Sequence, residues 1–171
     1  PYEWFESASA LVVPEGIKYT RVKFPEPVVD ISRDKAVQLA IQNGAKWIFF
    51  QDTDLMIPPN ALVKLLKHDV PIVGGLYVRR HNPPFNEMLR ITNMGLKPIQ
   101  GGEFQPNSLV EADSIATGCM LVKTEVFEKI KPFDIKIDDK PARPAYFLWT
   151  EWRPQGGMSE DFSFCVRAKQ S

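Results

Sequence analysis

The stretch "WIFFQDTDLMIPPNALVKLL", residues 47–66, decides how the rest of the chain is read. It opens on a short, continuously apolar run without alternation, the pattern of a parallel strand covered on both faces. It then meets two carboxylates one residue apart, Asp52 and Asp54, and stops at Pro58 and Pro59. Beyond the prolines, Ala61, Leu62, Leu65 and Leu66 recur at helical spacing. Pro59 suits the first helical position, and Lys67 and His68 suit the C-terminal end of the dipole. Strand, acidic turn and helix in this order predict an α/β layer with 47–51 near its centre.

Working outward, "SRDKAVQLAIQNGAK" (32–46) predicts a helix with Ser32 as N-cap, an apolar face of Ala36, Val37, Leu39, Ala40 and Ile41, and Gly44 as its left-handed stop. Before it, "IKYTRVKF" (17–24) mixes β-branched and aromatic with charged residues and predicts a half-buried strand between proline-containing turns. After the acidic turn and its helix, "VPIVGGLYV" (70–78) reads as another buried strand. Strand and helix therefore alternate from 17 to 78, which predicts a mostly parallel central sheet flanked by helices. From Arg79 to Asn107, prolines and glycines break every candidate element, so short antiparallel pieces or a mobile loop are expected. "SIATGCMLV" (114–122) predicts a strand interrupted at Gly118, and "TEVFEKI" a helix that Thr124 caps. "AYFLW" (145–149) reads as one more strand, and "SEDFSFCVRAKQ" (159–170) as a helix with Ser159 as N-cap.

With 171 residues, 44% of them apolar, the chain is long enough for one domain with a sizeable core. Its 21 basic and 21 acidic residues cancel, so no global field favours nucleic acid or an anionic membrane surface. No apolar run approaches the ~20 residues of a membrane helix. Cys119 and Cys165 stand in apolar contexts that suit reduced core thiols, hence a cytoplasmic protein. Fifteen prolines against ten glycines point either to a loop-rich domain or to a heat-adapted source.

Chemistry is expected where strands end, because loops and helix N-termini converge there. Asp52 and Asp54 repel one another unless a cation is near, so the pair either holds a hard divalent ion such as Mg²⁺ or Mn²⁺ or simply caps a turn. Glu160 and Asp161 open the last helix as ordinary dipole partners, or one of them faces a cleft as a general base beside the pliant Gly156-Gly157. Gly118 relaxes a bulge or lets a ligand touch backbone, and Gly74-Gly75 pose the same choice. Trp149 and Trp152 belong to the core or offer flat faces to a sugar ring. His81 beside Arg79 and Arg80 is a solvated loop or a metal and phosphate contact.

Four of these stretches, in order, resemble the glycosyltransferases of GT-A fold, in the family-2-like group. They are "DISRDKAVQLAIQNGAKW" with its Arg-Asp pair, "WIFFQDTDLMIPPNALVKLL" with the strand-terminal Asp-x-Asp, "SIATGCMLVKTEVFEKI" as the acceptor-side strand and helix, and "MSEDFSFCVRA" as the Glu-Asp helix. The likeness extends to small GT-A proteins carried by viruses of thermophilic archaea, which would place the chain in the host cytoplasm. The resemblance implies one GT-A-like catalytic domain over 1–171 whose first strand is missing from the N-terminus. It implies transfer of a sugar from a UDP- or GDP-sugar to a hydroxyl of a glycan or glycoprotein acceptor, metal-dependent and inverting, with no nucleic-acid partner.

Carried over residue by residue, it makes Asp54 a ligand of Mn²⁺ or Mg²⁺, and Asp52 a contact to the donor ribose or the metal. Thr53 orients the turn, Arg33 and Asp34 lie near the nucleotide, and Gly118 lines the sugar pocket. Pro1 and Tyr2 stand where the family holds the base. Asp161 is the general base, and Glu160 positions the acceptor. Two alternatives share parts of this pattern. One is a sugar-nucleotide-binding module without turnover; the other is a haloacid-dehalogenase-like phosphatase with Asp52 as nucleophile, although Met56 stands where that family has Thr or Val.

Overall fold

The computed structural model describes residues 2–24, 26, 28–78, 84–105, 107–136, 142–152 and 156–171. Its architecture is mixed α/β with small antiparallel sheets. The chain enters through helix α1 (Tyr2–Ser9), runs to helix α2 (Val29–Gln42), and then forms strand β1 (Trp47–Gln51), helix α3 (Ala61–Leu66) and strand β2 (Ile72–Gly74). A hairpin of β3 (Met88–Thr92) and β4 (Gly95–Pro98) precedes β5 (Ser114–Ile115), β6 (Cys119–Lys123) and helix α4 (Glu125–Lys129). Two short pairs, β7 (Phe133–Ile135) with β8 (Arg143–Ala145) and β9 (Thr150–Trp152) with β10 (Gly156–Met158), lead into helix α5 (Glu160–Gln170).

The expected mostly parallel sheet is not what forms. The sheet that carries the core has the order β1-β6-β2, and both pairings are antiparallel. β1 and β2 do run in the same direction, but β6 is inserted between them. The apolar run of 47–51 is therefore an edge of this sheet, and the fully buried centre is β6. Alternation along β6 explains why it belongs there. Met120 and Val122 enter one cluster with Val37 of α2, Phe127 of α4 and Phe164 of α5, whereas Cys119 and Leu121 enter the other with Ala61 and Leu65 of α3. Helices thus cover both faces, as the alternation of elements predicts. Phe127, Phe147 and Phe164 stack around the first cluster, with ring centroids of Phe147 and Phe164 4.6 Å apart.

Several local expectations are corrected. Residues 17–24 form no strand. They have no ladder partner among the described residues, and Ile17, Tyr19 and Val22 are exposed. Helix α2 starts at Val29 rather than after Ser32, whose hydroxyl donates to the Phe24 carbonyl. Thr124 does not cap α4, because its hydroxyl reaches back to the Ala45 carbonyl and ties the helix start to the end of α2. "AYFLW" contributes only Ala145 to a strand; Tyr146 and Phe147 are buried in a bend, and Trp149 is 61% exposed, so it is not a core residue. The predicted strand across Gly118 is divided, with β5 pairing with β3 and β6 with the main sheet. Gly44, by contrast, ends α2 with φ +64°, as expected.

Candidate functional site

Helix α2 buries an unusual face. The residues it turns inward are Asp30, Arg33, Asp34 and Val37, a perfect helical stripe of which three members are charged. Leu39 and Ile41, expected on the apolar face, are exposed instead. Charges are taken from water only when partners compensate them. Arg33, 6% exposed, pairs through Nη1 with Glu160 at the start of α5, and through Nη2 with Asp52 at the end of β1, at 3.1 and 3.4 Å from its two carboxylate oxygens. Its guanidinium also lies 5.9 Å from the centre of the Phe147 ring. One buried cation therefore joins the two acidic segments, which stand more than one hundred residues apart in the chain.

Asp34 does something different from what the resemblance implies. It is 1% exposed, accepts from the backbone N–H groups of Tyr146 (2.8 Å) and Phe147 (3.0 Å), and pairs with Arg143. Burial raises its pKa, while those donors and Arg143 pull it down. With its oxygens engaged this way, Asp34 anchors the 146–147 bend. That bend in turn places the Phe147 ring against Arg33.

The rest of the site is built from turns. Asp52 follows β1, with its N–H donating to the Gly118 carbonyl, so the acidic turn is fastened to the start of β6. Thr53 and Asp54 project from that turn and are exposed. The Gly118 N–H donates to the Tyr77 hydroxyl at 3.0 Å. A Cβ at Gly118 would lie 2.5 Å from that hydroxyl and 3.3 Å from Asp52 Oδ2, so any larger residue would have to displace Tyr77. The bare face of Gly118 expected to line a sugar pocket is thus occupied by the phenol of Tyr77. Asp161 holds its Oδ1 in place by accepting from the Ser159 hydroxyl and the Phe162 N–H. Ser159 is the N-cap position, but its hydroxyl serves Asp161 rather than the helix.

Electrostatics mark the same residues. Burial, and then the adjacent Asp161 carboxylate, push the Glu160 pKa above the ordinary carboxylate range against the pull of Arg33. Tyr77 is raised by burial first and by the carboxylates of Asp52, Asp161 and Glu87, against the lowering effect of the Gly118 N–H. Perturbed groups gathered in this way characterise functional sites. Two buried polar atoms without a hydrogen-bond partner, Gln51 Nε2 and Thr117 Oγ1, belong to the residues immediately before Asp52 and Gly118. Such orphans call for a ligand or a water.

Among the described residues, no group of three or more His, Cys, Asp or Glu side chains forms a cation cage. Ions of the Mg²⁺ type use only one or two protein carboxylates and complete their shell with water and substrate phosphates. Asp54 and Asp52 fit that partial donor set, with Arg33 already competing for Asp52. Pro1, Arg79, Arg80 and His81 lie outside the described residues, as does the Trp152 side chain. Tyr2 stands on α1, 73% exposed. A larger open groove of about 470 Å³ runs past Arg90, Glu103, Phe104, Ser108, Leu109 and Glu111, and none of these belongs to the Arg33 cluster. It lacks the buried charges that distinguish the cluster.

Sequence reasoning missed Tyr77 and Arg143. Tyr77 stands two positions after Gly74-Gly75, and an aromatic residue so close to a double glycine is the signal that could have found it. Arg143 carries no such mark.

No protein-family model and no curated protein matches the chain. Among solved structures it is similar to the crystal structure of A197 from STIV, a virus of thermophilic archaea, at 18% identity and a TM-score of 0.49, over 84% of this chain and 61% of that one. The chain therefore spans less than two thirds of that neighbour's length, and a likeness of this size carries no argument about activity. No helix among the described residues is long and apolar enough to cross a membrane.

Proposed function

We propose that the chain is a glycosyltransferase that moves a sugar from a nucleoside-diphosphate donor to an acceptor hydroxyl. The observation that supports this reading most is the Arg33 clamp, which draws Asp52 from the end of β1 and Glu160 from the start of α5 to one guanidinium. An Asp-x-Asp turn and a Glu-Asp helix start serve the donor and the acceptor of one reaction only if they share a site.

In this reading Asp161 takes the proton of the acceptor hydroxyl as its oxygen bonds to the anomeric carbon, while the bond from that carbon to the diphosphate oxygen breaks and the nucleoside diphosphate leaves. Held by Ser159 and Phe162, the Asp161 carboxylate keeps one orientation, which shortens the search for the reactive geometry. Glu160, which the resemblance has positioning the acceptor, is tied to Arg33 and so fixes the first turn of α5 and with it Asp161. Asp54, exposed on the turn, and Asp52 would hold a divalent cation, whose chemistry is to neutralise the charge of the departing diphosphate. The phosphatase alternative would use Asp52 as nucleophile, and Met56 stands where that family has Thr or Val.

The test is release of UDP or GDP from a panel of UDP- and GDP-sugars with Mn²⁺, supplied with glycan acceptors. Asp161→Asn should abolish release and retain donor binding. Silence across the panel together with no donor binding would remove the reading. Binding without turnover in the unmodified chain would support the module that binds without reacting.

A further inference from the structure

The loop after β2 is pressed onto the start of β6 by three glycines. A Cβ at Gly74 would stand 2.7 Å from Ile115 Cδ1, one at Gly75 would stand 2.9 Å from Cys119 Sγ, and one at Gly118 would strike the Tyr77 hydroxyl. Gly75 N–H donates to the Cys119 carbonyl at 2.8 Å, and the Tyr77 carbonyl accepts from Glu87 N–H at 3.3 Å. Everything in this arrangement delivers one side chain, Tyr77, to the backbone at Gly118, beside Asp52. Tyr77 also lines a cavity of about 30 Å³ with Gly75, Glu87, Met88 and Ala116.

We propose that Tyr77 is a sugar-reading residue of this site, whose hydroxyl donates a hydrogen bond to a hydroxyl of the donor sugar. The inference rests on the glycosyl-transfer reading above and names a contact that the reading does not contain. The phenol oxygen accepts from Gly118 N–H at 3.0 Å, which leaves its own proton for another acceptor. A phenol is uncharged near neutral pH, so Tyr77 offers a neutral O–H donor. An anionic phosphate would be repelled by Asp52, Asp161 and Glu87 at this point unless a cation intervened. An uncharged hydroxyl meets no such penalty, and a neutral O–H is the donor that suits it.

The experiment measures binding of bare UDP and GDP and of UDP-glucose and GDP-mannose, each with Mn²⁺, to the unmodified chain and to Tyr77→Phe. Tyr77→Phe should weaken the sugar nucleotide by about tenfold, the worth of one hydrogen bond between neutral groups, and leave the bare diphosphate within about twofold. Deoxy-sugar donors supply an independent reading on the unmodified chain. One deoxy position should reproduce the tenfold loss, and Tyr77→Phe should show no further loss at that position. Equal weakening of sugar nucleotide and bare diphosphate, or no weakening of either, overturns the Tyr77 assignment and leaves glycosyl transfer standing. Failure of the unmodified chain to bind any of the four nucleotides overturns both.

Discussion

Replacing Arg33 with Met keeps an unbranched stem and removes the charge that holds the site together. The cost follows from what is left behind. Glu160, 5% exposed, would remain buried without its cation, and breaking one partner out of a buried pair typically costs about 3–5 kcal/mol. Asp52 adds little, because its side chain is 38% exposed and water replaces the guanidinium there. A loss of roughly 3 kcal/mol is expected, equivalent to a fall in melting temperature of roughly 6–12 °C for a domain of this size.

The pH dependence sharpens the test. Burial holds the folded-state pKa of Glu160 above its ordinary value of 4.5, so the neutral carboxyl stabilises the fold below that value and the contribution is lost as pH rises through the folded pKa. Without Arg33 the folded pKa climbs further, and the deficit of Arg33→Met should be small near about pH 4.5 and full near about pH 7.5. Urea unfolding followed by tryptophan fluorescence at both pH values measures it, and adding Glu160→Gln to Arg33→Met should restore much of the loss. A variant within about 1 kcal/mol of the unmodified chain at both pH values would refute the clamp as a structural necessity.

Other outcomes follow from the same contacts. Asp34→Ala strands two buried N–H groups and Arg143, so it should cost about 3 kcal/mol, read by urea unfolding, and should release the 146–147 bend to faster amide exchange. Phe164→Ala opens the ring stack at the centre of the first cluster and should cost about 3–5 kcal/mol, read as a shift in melting temperature. Burial pushes the Cys165 thiol up to about 12, so it should resist thiol reagents at neutral pH in the native chain and react on unfolding in urea.

What could be read in the residues was the local order. The stop of α2 at Gly44, the strand–turn–helix of 47–66, the antiparallel pieces after 84 and the start of the last helix at Glu160 all rest on signals within a few residues of the feature, and they appear in the structure. Strand order rests on no such signal. The same apolar run suits an edge or a centre, and β6 took the centre because both of its faces find helices. Helix α2 was misread on its inward face for a physical reason. Hydrophobic periodicity assumes that charges face water, while Arg33 and Asp34 are buried because distant partners meet them. The unsuspected role of Asp34 and the arrival of Tyr77 at Gly118 are likewise long-range events, fixed by backbone contacts that no spacing announces. The acidic pairs at 52–54 and 160–161 were visible, and Arg33 was singled out, but its place between them was not.

Both acidic segments are read as serving one reaction, the first its donor and the second its acceptor. A crystal grown with Mn²⁺ and a non-transferable UDP- or GDP-sugar tests it most directly. The diphosphate is expected at Asp54 and Asp52, with the anomeric carbon facing Asp161 and a sugar hydroxyl on Tyr77. A nucleotide seated instead in the groove beside Arg90 and Glu103, with the Arg33 cluster untouched, would contradict that reading.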